Sequence, residues 1–218
     1  MLQIIISLIL GPIMAVLLFG YIKYRFPKGY FGLLIRSYFW GIFSSIIFAT
    51  IFYITYQQGY IELKNLRRNF FYSFFIIAFG QEIGKFIILR YLMLPAKVFR
   101  NPSDGITYSL MISFGAATAT NIGFILFFPN TDYSLLISNV LVGMVYAVVM
   151  GFFVGMGKTR NNRMIDSLSG LFGAILFHGI YEFIIQTNDQ LLLWPFLIGS
   201  GIITFLLIVK SIQISDEL

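Results

Sequence analysis

Phe70-Phe71-Tyr72-Ser73-Phe74-Phe75-Ile76-Ile77-Ala78-Phe79-Gly80-Gln81-Glu82-Ile83-Gly84-Lys85-Phe86-Ile87-Ile88-Leu89-Arg90-Tyr91-Leu92-Met93 is an apolar run interrupted near its middle by Gln81, Glu82 and Lys85. A helix needs about 20 apolar residues to cross a bilayer core, so a run of this length predicts a membrane span rather than a strand or a soluble core helix. An ionisable residue at bilayer depth costs about 2.5 to 3.5 kcal/mol on insertion scales, which makes Glu82 and Lys85 candidate functional residues by default. A second apolar run carries His178-Gly179-Ile180-Tyr181-Glu182, and His178 is the only histidine in the chain.

The whole composition agrees with the first run. Hydrophobic residues make up 58% of the 218 residues and charged ones only 11%, against roughly 45 to 50% apolar content in a soluble domain. The reading is an all-α polytopic membrane bundle of about seven transmembrane helices, folded as a single domain over 1–218. Candidate spans are 2–22, 36–56, 70–93, 105–128, 134–157, 166–187 and 191–210. Breakers separate them: Pro27-Lys28-Gly29, Gln57-Gln58-Gly59, Pro95, Asn101-Pro102-Ser103-Asp104, Pro129-Asn130-Thr131-Asp132 and Arg160-Asn161-Asn162-Arg163. The first apolar stretch lacks the basic start and small-residue cleavage site of a signal peptide, and is expected to be a retained span.

The absence of cysteine excludes disulfides and thiolate metal sites, leaving histidine and carboxylates as metal donors. The net charge of +6 does not point to nucleic acid, because the basic residues flank apolar runs. Lys23, Arg25, Lys28, Arg36, Arg90, Lys97, Arg100, Lys158, Arg160, Arg163 and Lys210 fall on one side of the predicted topology, and Lys64, Arg67 and Arg68 on the other. By the positive-inside rule the N-terminus is expected outside and the C-terminus in the cytoplasm.

Spacing then relates the polar residues. Lys85 is three residues after Glu82, and Glu182 four after His178, so each pair shares a helix face. Glu82 and His178 each lie about 12 residues into their spans, near the bilayer centre at about 1.5 Å per residue, where they could meet. Thr120 and Asn121 lie well inside another span. The competing reading of each pair is structural: an intrahelical ion pair for Glu82 with Lys85, and a polar clamp between helices for His178 with Glu182. Gly151, Gly155, and Gly115 with Ala119, suggest close helix contacts.

Gln81-Glu82-x-x-Lys85, Asp104-Gly105-Ile106-Thr107-Tyr108, Gly115 to Asn121 and His178-Gly179, in that order, resemble the PrsW intramembrane proteases, which are similar in turn to the CAAX prenyl endopeptidases. The resemblance covers about 70–187. It implies metal-assisted hydrolysis of a membrane-anchored protein in a bacterial cytoplasmic membrane, with Glu82, Lys85, His178 and Asn121 as catalytic residues and Glu82, His178 and Glu182 as ligands of a Zn2+ ion. Three positions depart from the family pattern. Gln81 stands for a glutamate, Thr120 for a glutamate and Gly143 for a histidine. Those departures fit an inactive relative that binds or scaffolds membrane proteins, and the buried ionisable residues fit a third class, an ion-coupled transporter using Glu82, Lys85, His178 and Glu182 as its path.

Overall fold

A computed structural model describes residues 2–26, 31–60, 65–128, 132–160 and 163–217. Lys28, Lys64 and the breakers Pro27, Gly29, Pro129, Asn130, Thr131, Asn161 and Asn162 lie outside the described residues. Seven long helices account for nearly all of the rest: α1 (Leu2–Arg25), α2 (Phe31–Gln57), α3 (Leu66–Met93), α4 (Pro102–Phe127), α5 (Tyr133–Thr159), α6 (Arg163–Thr187) and α7 (Gln190–Asp216). Each has 24 to 28 residues and an apolar window fit to cross a bilayer, as the sequence predicts.

The helices are longer than their hydropathy windows. Arg36 lies inside α2, Arg163 opens α6, and α7 runs on past Lys210. A hydropathy window sees only the hydrocarbon-depth part of a helix, whereas backbone hydrogen bonding continues into the headgroup region. Asn101-Pro102-Ser103-Asp104, expected as a connection, is a helix start. The Asn101 side chain accepts a hydrogen bond from the Asp104 amide, and Pro102 sits where a missing amide hydrogen does no harm. Asp132 and Asp189 cap α5 and α7 in the same way. Gly59 turns the chain after α2 with φ at +70°, a conformation open to glycine.

Packing centres on α4 and α5, whose backbones come close enough to exclude side chains. A Cβ on Gly105 would overlap the Gly151 carbonyl, one on Gly155 would lie 2.5 Å from Pro102 Cα, and one on Gly115 would overlap the Tyr38 carbonyl of α2. These are the small-residue contacts expected from Gly115, Gly151 and Gly155. From Tyr146 to Gly157, α5 is buried on nearly every side. By contrast α7 lies at the periphery, its apolar side chains turned outward.

Cross-helix contacts gather the basic residues at one end of the bundle. Lys158 at the end of α5 donates to the Leu94 carbonyl just beyond α3, at 2.9 Å. Ser103 at the start of α4 bonds Ser211 and Ser215 near the end of α7, and Ser37 early in α2 meets Met93. Arg36, Arg90, Arg100, Lys158, Arg160 and Lys210 therefore share one end of the molecule.

One helix is irregular. In α3 the segments Tyr72–Ala78 and Ile88–Met93 are π-helical, and the α-helical Phe79–Ile87 between them carries Glu82 and Lys85. Such wide turns recur at functional sites, because they rotate the following side chains off the ordinary helical register.

Candidate functional site

The buried stripe of α6 runs through Ser167, Gly170, Ala174, His178 and Tyr181, spaced three or four residues apart, with Leu171, Gly179 and Ile184 buried beside it. His178 thus lies on the face that meets the bundle. The next residue, Gly179, lies against the Phe74 ring in the first π-segment of α3, and any Cβ there would overlap that ring. On the other side of α3, Gly84 approaches the Ser44 carbonyl of α2, with room for a Cβ only at 2.5 Å. Two glycines therefore let α3 settle between α2 and α6, which brings Glu82 to His178.

The contact is close and dry. Glu82 is fully buried and His178 is 1% exposed. Lys85 Nζ donates to Glu82 Oε1 at 2.6 Å, and His178 Nδ1 lies 2.9 Å from the same oxygen. With Glu82 Oε1 already accepting from an ammonium, the Nδ1–H form of His178 is the one that can donate to it, and in the neutral imidazole of that form the lone pair is on Nε2. That nitrogen faces Glu182 Oε1 at 3.9 Å, too far for a hydrogen bond. The Glu182 side chain is 21% exposed, so the cluster is closed behind Glu82 and open at Glu182.

The structure thus brings together four residues singled out from the sequence: Glu82, Lys85, His178 and Glu182. The fifth, Asn121, is bonded to other partners. The Asn121 amide donates to the Ser7 carbonyl of α1 at 2.9 Å and the Leu136 carbonyl of α5 at 3.0 Å, and its oxygen accepts from Asn139. Among the described residues no hydrogen bond joins Asn121 to Glu82 or His178. These bonds tie α4 to α1 and α5, the geometry of a three-helix clamp.

Sequence reasoning passed over Tyr146. Its ring stacks on the His178 imidazole with centroids 4.4 Å apart and planes 14° from parallel. The hydroxyl is buried and has no hydrogen-bond partner in the protein, and the same is true of Glu82 Oε2. A usable signal was available: Tyr146 falls midway along α5, where a phenol hydroxyl is out of reach of water and needs a reason.

A three-ligand metal site is a different matter. Among the described residues no three His, Asp or Glu side chains converge as metal donors. The imidazole stands between the two carboxylates and turns one nitrogen to each, so Glu82 and Glu182 do not face a common point with Nε2. His178 Nε2 and Glu182 are the two donors left, one fewer than a catalytic zinc ordinarily takes from protein. The expected Glu82, His178 and Glu182 ligand set therefore does not fit this arrangement. The departures from the family pattern add no donor: Gln81 is half-buried beside Glu82, Thr120 is buried, and the Gly143 carbonyl accepts from Ser113 Oγ.

Comparison with known proteins agrees with the motifs. Residues 30–212 match the PrsW family intramembrane metalloprotease. The Protease PrsW of Oceanobacillus iheyensis is 28% identical over 199 residues, covering 89% of each chain. That of Bacillus subtilis is 27% identical over 201 residues with the same coverage, and that of Halalkalibacterium halodurans 23% identical over 217 residues, covering 96% of this chain and 95% of its own. No solved structure matches the chain. The match takes in α2 to α6 and all but the last turn of α7, including every residue of the buried cluster, and it agrees with the membrane architecture built above: this chain belongs to the PrsW family of intramembrane metalloproteases.

Proposed function

We propose that this chain hydrolyses a peptide bond in a membrane-anchored protein, using the buried cluster on α3 and α6. The observation that carries the reading is the held imidazole: Nδ1 is fixed by Glu82, and Nε2 is free and turned to the cluster's open side. A lone pair so placed takes a proton from a water entering past Glu182, and the hydroxide oxygen adds to the substrate carbonyl carbon. Glu82 stabilises the imidazolium that forms. The imidazolium then returns the proton to the leaving amine as the C–N bond breaks. Lys85 neutralises Glu82 during the resting phase, which is what allows a carboxylate to stand ionised at this depth.

No step is drawn through a metal, since the donors fall one short. If a Zn2+ ion were bound, His178 Nε2 and Glu182 would be the residues to hold it. The chain functions as one membrane domain. By the positive-inside rule its basic end faces the cytoplasm, with the C-terminus inside and the N-terminus outside, as suits a bacterial cytoplasmic membrane.

The test is cleavage of a single-span substrate in liposomes. His178→Ala and Glu82→Gln are each expected to lower the rate at least about 100-fold, the low end of what a general base contributes. Cleavage by His178→Ala at the rate of the unaltered protein overturns the reading. Elemental analysis of the same preparation is expected to find zinc well below one ion per chain. A full equivalent that His178→Ala releases would replace the water-base step with a metal-centred one.

A further inference from the structure

We infer that the Tyr146 hydroxyl donates a hydrogen bond to the carbonyl oxygen of the scissile peptide bond, holding the negative charge that develops there. The inference rests on the hydrolytic reading above and gives that site a second working group. Two buried polar atoms beside His178 have no partner in the protein, Glu82 Oε2 and the Tyr146 oxygen. Glu82 is needed for its other oxygen, which holds His178 and Lys85. Tyr146 has no such duty, since phenylalanine would fill the same volume and stack on the imidazole equally well. A buried hydroxyl with no partner lowers stability, so its presence asks for an acceptor that arrives from outside the chain.

The geometry says where that acceptor sits. The near-parallel stack at 4.4 Å sets the phenol flat against the His178 imidazole. Nε2 of that imidazole faces the Glu182 carboxylate, on the side where the cluster is open. The unpartnered hydroxyl is thus carried by a ring that lies against the base itself. A peptide group entering there meets water activated at Nε2 and a donor for its carbonyl oxygen. When the water oxygen bonds to the carbonyl carbon, the π electrons move onto the carbonyl oxygen, and a fixed O–H is most effective against that charge in a water-poor site.

Tyr146→Phe tests this, assayed in liposomes beside the unaltered protein and His178→Ala on one single-span substrate. The expected result is a fall in kcat of about 100- to 1000-fold, the usual loss of one oxyanion donor. KM should stay within about twofold, because the bond strengthens only as charge develops. The melting temperature in detergent should be unchanged or higher. Unchanged kcat overturns the inference. So does a fall in kcat together with a lower melting temperature, which would make the hydroxyl structural. Should the unaltered protein and His178→Ala cleave equally, the hydrolytic reading fails first and carries this inference with it.

Discussion

Asn121 and Glu82 are both completely buried at membrane depth, yet the bundle treats them in opposite ways. Around Asn121 the amide hydrogens go to carbonyls of α1 and α5, and the oxygen accepts from Asn139. Around Glu82 one oxygen takes both Lys85 and His178 while the other takes nothing, and a phenol hydroxyl beside them is also unpartnered. A polar group whose donors and acceptor are all engaged between helices is a fastener, since none of its polar atoms is left without a partner in the protein. An unsaturated one lowers stability and is explained by something that binds. The two regions differ in charge as well, because a neutral amide needs only hydrogen bonds whereas a buried carboxylate needs a counter-charge.

The largest expected effect follows from that counter-charge. Lys85→Met keeps the stem of the side chain and removes the ammonium 2.6 Å from Glu82. Breaking one half of a buried ion pair typically costs about 3 to 5 kcal/mol, because the charge left behind is uncompensated. We expect a loss of this size by denaturant or thermal unfolding in detergent. Adding Glu82→Gln to Lys85→Met should recover most of it, since the stranded charge is then gone. Unfolding of Lys85→Met at the midpoint of the unaltered protein would show that Lys85 does not compensate Glu82, and the contrast with Asn121 would lose its electrostatic half.

The sequence shows this contrast only in part, for physical reasons. Hydropathy over about 20 residues reports lipid-depth helices directly, so the seven spans are legible, and helix periodicity makes Lys85 with Glu82 and Glu182 with His178 legible as same-face pairs. Matching mid-span positions make the meeting of Glu82 and His178 a fair expectation, which the 2.9 Å contact bears out. Orientation of groups about the imidazole is another matter. Which nitrogen faces which carboxylate depends on two π-helical segments and on Gly84 and Gly179, and none of these has a sequence signature that fixes a rotation. Hence three donors counted along the chain do not become three ligands around a point. Tyr146 is hidden for a related reason: stacking between α5 and α6 is a non-local contact of one tyrosine among 13.

Asn121 provides the smallest and most selective prediction. A motif reading groups it with the catalytic residues, and its hydrogen bonds group it with the scaffold, so one substitution separates the two. Asn121→Leu keeps the volume of the side chain and deletes its polar atoms. The Ser7 and Leu136 carbonyls it releases lie within α1 and α5, where helical amides also bond them, so little is left unsatisfied. Hydrogen bonds between membrane helices average about 0.6 kcal/mol and reach about 1.7, which puts the expected loss near 1 kcal/mol. The rate of cleavage per folded molecule should stay within about twofold of the unaltered protein. A loss of about 100-fold in rate at unchanged stability would move Asn121 into the working site. Satisfied hydrogen bonding would then no longer distinguish the fastener from the site, and the comparison on which both assignments rest would fail at its neutral end rather than its charged one.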